Sequence, residues 1–288
     1  MAATAAKLAI GGYEFQSVEE GHGQPVLFVH GSVSDHLTRQ PQVGAFAARF
    51  RAVAYSRRYH WPNAPIADGA DYAMREHVED LEAVIGALGL APVNLVGHSY
   101  GGFLCLRLAC HRPDLVGSLA LAEPPVVTQL ASNPPRLWEI FGLFATRPRT
   151  AAALLKFGAR GLGPATAAFR AGDVEEGLQI FGTAVLGREA FRSLSDARLR
   201  QVRANLIVAE FLGSGFLPID PREVQRIACP ALLVTGASSP VLFHRLIDRL
   251  EELLPRAQRV QIPEASHIMH EDNPAAFNEA VLSFLARR

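Results

Sequence analysis

Apolar and polar positions follow two rhythms along this chain. Tyr13 to Glu20 alternates with the two-residue period of a strand. Pro25 to Val29 is a short apolar run leading into His30-Gly31, and Phe50 to Tyr55 repeats that pattern, as buried strands do. Between them Gln40 to Ala48 reads as a helix. Asp71 to Leu88 is a stronger one, with Met74, Val78, Leu81, Val84, Ile85 and Leu88 on one stripe and Gly89 beyond. Pro92 to Val96 predicts a strand, Gly101 to Cys110 a helix, and Val116 to Ala122 and Pro230 to Thr235 two more strands. The chain closes with a helix from Leu242 to Leu254, a strand from Gln258 to Ile262 and a helix from Pro274 to Ala286. Continuous apolar strands separated by helices are what a parallel sheet covered on both faces requires, so the fold class is α/β.

One stretch departs from the alternation. From Pro124 to Ala228 there is no convincing strand run, while stripes such as Leu137-Ile140-Phe141-Phe144 and Val202-Leu206 are helical. The expected organisation is a core of residues 1–123 and 229–288 with a helical lid, 124–228, inserted into it. Pro124-Pro125, Pro134-Pro135, Pro218, Pro221 and Pro230 mark its hinges. A length of 288 residues suits one core plus such an insertion.

Charge narrows the partners. Lys and Arg number 28 and Asp and Glu also 28, which leaves no basic surplus for nucleic acid or an anionic membrane. The expected partner is a small molecule, with the chain a monomer or homodimer. Cys105, Cys110 and Cys229 cannot all pair and lie in no metal-binding spacing. A cytoplasmic location with no cofactor and no metal follows as the expectation. The first ten residues hold one Lys and no apolar run of signal-peptide length.

The most specific chemical signal is Gly97-His98-Ser99-Tyr100-Gly101, between a predicted strand and a predicted helix. A G-x-S-x-G turn sets a serine hydroxyl clear of a strained strand-to-helix bend, and its glycines let the backbone close. The helix N-terminus there favours an oxyanion. A weakly acidic serine needs a base, and His267, just after the last strand, is the best candidate. His270 is a local rival, while His77, His111 and His244 read as solvated or capping residues.

With these residues in place the chain resembles the α/β-hydrolase family: His30-Gly31 after an early strand, Ser99 at the elbow, an inserted lid, and a late histidine before the final helix. The resemblance implies an eight-stranded, mostly parallel sheet with the active site under the lid. It implies oxyanion donors at the N–H groups of Ser32 and Tyr100, with Val33 or Ser34 substituting for Ser32 if the loop is shifted. The acid departs from the common pattern. The turn after Ala231-Leu232-Leu233-Val234-Thr235-Gly236 reads Ala237-Ser238-Ser239-Pro240 and holds no carboxylate. Glu123, directly before Pro124-Pro125, is the nearest alternative, a placement similar to certain haloalkane dehalogenases and to the zearalenone-lactone hydrolases. Asp248 and Glu264 are weaker rivals. The expected triad is Ser99, Glu123 and His267.

A second departure is the bulky turn Ser56-Arg57-Arg58-Tyr59-His60-Trp61 after the strand ending at Tyr55, for which two readings stand: its aromatic residues line the pocket mouth, or, the favoured structural reading, Arg57 and Arg58 fix the loop to backbone carbonyls. His30, Gly31, Val33, His98, Trp138 and Phe141 complete the expected pocket. Such a set implies acyl transfer from a carboxylic ester or lactone of a small to medium apolar substrate. A serine rather than an aspartate at the elbow argues against dehalogenase or epoxide hydrolase chemistry. The alternatives are a non-hydrolytic enzyme on the same fold (C–C hydrolase, lyase or cofactor-independent oxygenase) and a ligand-binding receptor with little turnover.

Overall fold

The computed structural model describes residues 4–132, 135–214, 217–254 and 256–287. Pro134 and Phe216 of the expected hinge and lid lie outside them. The chain opens with a hairpin, β1 (Thr4–Ile10) and β2 (Tyr13–Glu20), antiparallel with Ile10 opposite Tyr13 around Gly11-Gly12. β1 is not visible in the hydrophobic pattern, because as an edge strand it is largely exposed and needs no apolar face.

The predicted alternation follows: β3 (Pro25–Val29), α1 (Gln40–Phe46), β4 (Arg51–Tyr55), α2 (Met74–Ala87), β5 (Val93–His98), α3 (Tyr100–His111) and β6 (Val116–Ala122). Beyond β6 come eight helices: α4 (Leu137–Thr146), α5 (Pro148–Phe157), α6 (Gly163–Arg170), α7 (Val174–Leu186), α8 (Arg188–Arg192), α9 (Asp196–Ala204), α10 (Val208–Leu212) and α11 (Pro221–Gln225). A π-helical turn, Gly158–Leu162, joins α5 to α6. Between Ala122 and Ala231 the described residues contain no strand. The core then resumes with β7 (Ala231–Gly236), α12 (Val241–Leu253), β8 (Gln258–Ile262), α13 (Met269–Asp272) and α14 (Pro274–Leu285).

The eight strands form one sheet in the order β1-β2-β4-β3-β5-β6-β7-β8, parallel from β4 to β8. This is the α/β-hydrolase fold. One apolar layer packs α2, α3 and α12 on one face, and a second packs α1 and α14 on the other. The central strands are buried on both sides, which is why they read as unbroken apolar runs. Each fully buried Leu or Phe contributes roughly 1.5–3 kcal/mol. Because the parallel strands share a direction, the loops after β3, β5, β6, β7 and β8 emerge at one edge.

Candidate active site

Ser99 stands between β5 and α3 with φ 49° and ψ −123°, a left-handed conformation that costs a non-glycine residue about 1–3 kcal/mol. Hydrogen bonds over-determine it: Ser99 N–H donates to the Ala122 carbonyl at 2.8 Å, and the Ser99 carbonyl accepts from Phe103 N–H at 3.0 Å. The flanking glycines have a steric cause. A Cβ on Gly97 would lie 2.6 Å from Gly102 Cα, and one on Gly101 would strike the carbonyls of Val29 and His30.

Glu123 follows β6 directly, also at positive φ, and is fully buried. Its Oε2 accepts from His267 Nδ1 at 2.7 Å, and its Oε1 accepts from Gly236 N–H at 3.0 Å. The turn after β7, which carries no carboxylate, therefore supplies a backbone donor that steadies the carboxylate of the neighbouring strand. Asp248 is instead ion-paired with Arg245 and Arg259, and Glu264 lies on an exposed loop. The His267 ring stacks on Phe243 at 4.0 Å, and its carbonyl accepts from His98 Nε2 at 2.8 Å. With Nδ1–H on Glu123, the lone pair sits on Nε2, which is buried without a protein partner among the described residues. His270 is turned to Glu271, and burial with the nearby Arg39 charge pushes it down to about 3.

The loop after β3 is held from behind. His30 accepts Arg57 N–H on Nε2 and donates from Nδ1 to the Gly31 carbonyl, so its ring is consumed in the loop rather than turned to a cavity. The Arg57 guanidinium donates to the carbonyls of His30 and Gly31 at 3.1 and 3.0 Å and to the Tyr72 hydroxyl at 2.7 Å. Arg58 turns away to Asp80. Ser32 Oγ donates to Glu210 Oε1 at 2.7 Å, and the same carboxylate lies 3.5 Å from Arg57. Burial pushes Glu210 up, and the Arg57 charge opposes the shift. Glu210 is a functional candidate that sequence reasoning missed. It sits on α10, 178 residues from Ser32, and no local pattern marks it among the charges of the insertion.

Ser99, Ser32 and Tyr100 share the wall of an apolar cavity of about 550 Å³ roofed by Leu154, Phe157, Phe181 and Phe211 of the insertion. On its other side Ser99 faces a smaller cavity of about 60 Å³, lined with His98, His267, Val33 and the Arg198–Glu271 ion pair. Four of the expected pocket residues, His30, Gly31, Trp138 and Phe141, line neither cavity. Trp138 is 66% exposed and Phe141 72% exposed, and neither lines a cavity, because the inner face of α4 presents Ile140 instead. Gly31 packs behind the elbow, against Ser99 and His98. His77, expected at a solvated face, is buried 4.2 Å from the Tyr72 ring, since the bulky turn after β4 folds over α2. No group of three or more His, Cys, Asp or Glu among the described residues is placed to hold a metal, and none of their helices is long and apolar enough to cross a membrane.

The chain matches the alpha/beta hydrolase family from residue 26 to residue 280. It is 26% identical over 278 residues to an sn-1-specific diacylglycerol lipase of Mus musculus, covering 91% of this chain and 80% of that protein. It is 24% identical over 302 residues to bifunctional epoxide hydrolase 2 of Sus scrofa, covering 95% of this chain and only 53% of that protein. Among solved structures, a thermophilic esterase from Thermogutta terrifontis aligns with a TM-score of 0.73 at 19% identity, over 99% of this chain and 98% of that one.

Proposed function

The chain belongs to the alpha/beta hydrolase family, and from that premise we propose that it is a serine hydrolase that cleaves a carboxylic ester or lactone of a small to medium apolar substrate. One observation carries the reading. The His267 ring is fixed through Nδ1 on Glu123 and leaves Nε2 unpartnered on a cavity wall that also holds Ser99. In this reading Nε2 takes the Ser99 proton as Oγ attacks the substrate carbonyl, and Glu123 stabilises the imidazolium that forms. The oxyanion is held by the N–H groups of Ser32 and Tyr100, the latter at the first position of α3. His267 then returns the proton to the leaving alkoxide, giving an alcohol and an acyl ester on Ser99. Water, deprotonated by the same nitrogen, attacks that ester, and Ser99 leaves as the hydroxyl when the acid departs.

The apolar walls of the larger cavity support a hydrophobic substrate, and its volume falls within the range of drug-sized ligand sites. A serine nucleophile favours acyl transfer over epoxide opening, which uses a carboxylate nucleophile. The direct test is fluorophosphonate labelling with mass mapping, run beside nitrophenol release from a short-chain ester. Labelling confined to Ser99 and lost in Ser99→Ala is expected. A wild-type chain that neither labels nor turns over any ester or lactone would sink the proposal.

A further inference from the structure

The insertion carries a surface unlike the rest of the molecule. At about 100° per residue, Phe144, Leu137, Phe141, Ala145 and Trp138 of α4 occupy about a third of the helix circumference. Ile140 and Leu143 lie beyond one edge of this arc, the first lining the large cavity and the second buried. The outward arc is bare: Leu137 is 78% exposed and Phe144 42%, beside Trp138 and Phe141. Contiguous exposed apolar patches of this kind mark interaction sites.

Two independent features say what covers it. The first is continuity with the cavity. The cavity-lining residues Pro135, Leu155, Gly158, Ala159 and Leu162 are themselves exposed, so the mouth opens between the foot of α4 and the turn after α5, which packs beside it. The second is charge. From residue 136 to residue 170 the single acid is Glu139, and its carboxylate caps α4 through the N–H groups of Ser132 and Arg136. Arg147 is paired with Glu252, but Arg136, Arg149, Lys156 and Arg160 are exposed around the apolar arc and the mouth. The neutral net charge of the chain conceals this local excess.

We infer that this face docks on an anionic lipid surface, with α4 lying in the interface plane and the cavity mouth turned toward the acyl chains. Aromatic and aliphatic side chains on one side of a short helix, flanked by arginine and lysine, are the composition that holds a helix at a bilayer surface. A second copy of this chain fits poorly, because a two-fold contact would set the same cations against each other while Glu139, the one acid of residues 136–170, is held in its own helix cap.

The test uses the full chain and vesicles of phosphatidylcholine, alone or mixed with phosphatidylglycerol. Co-sedimentation with the mixed vesicles is expected, weakened by salt and by at least about tenfold in a Trp138→Ser/Phe141→Ser double variant. In a Trp61→Phe background the Trp138 emission should shift to the blue on adding mixed vesicles and not on adding phosphatidylcholine alone. Turnover of a soluble short-chain ester should be unchanged by the double substitution, which shows that the fold is intact. Adsorption is read without turnover, so it stands or falls separately from the hydrolytic reading. No sedimentation, or equal sedimentation of the double variant, overturns the proposal. So does a concentration-dependent dimer in light scattering that the double variant abolishes, which would assign the face to a second copy.

Discussion

The sheet edge that carries Ser99, Glu123 and His267 and the helical segment roofing it are built on opposite principles. At the sheet edge each candidate site residue is tied to backbone: Ser99 to Ala122 and Phe103, Glu123 to Val234 and Gly236, and the loop after β3 to Arg57. In the insertion, large apolar side chains stand in water along α4, and the helix α5 is continued by a π-helical turn. The two are joined by many polar contacts, among them Ser32 and Arg57 on Glu210, Gln201 and Asn205 on Asp35, and Arg198 on Glu271 beside the smaller cavity. A rigid edge holds geometry to the fraction of an ångström that proton transfer needs. An insertion freed from that demand sets the shape of the cavity and the character of the outer surface.

Substitutions sharpen that contrast, beginning with the edge. Ser99→Ala should lower kcat by about 10⁶-fold on any ester the chain turns over, measured in purified protein with unchanged circular dichroism. Glu123→Gln should cost about 10⁴-fold by favouring the wrong His267 tautomer, with fluorophosphonate labelling slowed in parallel. Normal labelling in that variant would place the acid elsewhere. At the contact between the regions, Ser32→Ala keeps the backbone N–H and removes only the tie to Glu210. A fall in kcat of about tenfold with KM nearly unchanged is expected, whereas a change in KM alone would mean that Ser32 merely lines the cavity. Glu210→Ala leaves the Arg57 guanidinium buried opposite no charge and should destabilise the fold by about 3–5 kcal/mol in urea unfolding.

Protonation tests the same division from another side. His30, His60, His98 and His270 surround the edge and, with His77, are each pushed down by burial. The unfolded chain binds protons near pH 6.5 that the folded chain refuses, so stability is complete above that value and is lost as the pH falls below it. At pH 5.5 each such group removes about 1.4 kcal/mol. Unfolding at several pH values should therefore show proton uptake rising from near zero at pH 8 toward several per molecule below pH 5. A flat profile would mean that these histidines are hydrated in solution.

The elbow serine, the histidine after the last strand and the alternation of strands and helices were legible because each is a local pattern. A run of apolar residues reports burial, and a glycine-flanked serine reports a turn that admits no side chain. Glu123 was legible only through the family resemblance, which looks for the acid after β7 or, where that turn holds no carboxylate, at the end of β6; the structure sets its carboxylate on His267 Nδ1. The role of Glu210, the particular carbonyls that Arg57 reaches, the burial of His77 and the outward face of Trp138 and Phe141 were not. Each depends on which residue, scores of positions away, occupies the space opposite.

The sequence by itself thus determined the layered α/β architecture and the glycine-flanked turn at Ser99, because periodicity and steric exclusion act within a few residues. Only the tertiary structure decided what anchors the loop after β3, which face of α4 meets water, and where the cations of a neutral chain gather. Those outcomes follow from long-range packing and from charges that become neighbours only when the chain closes on itself.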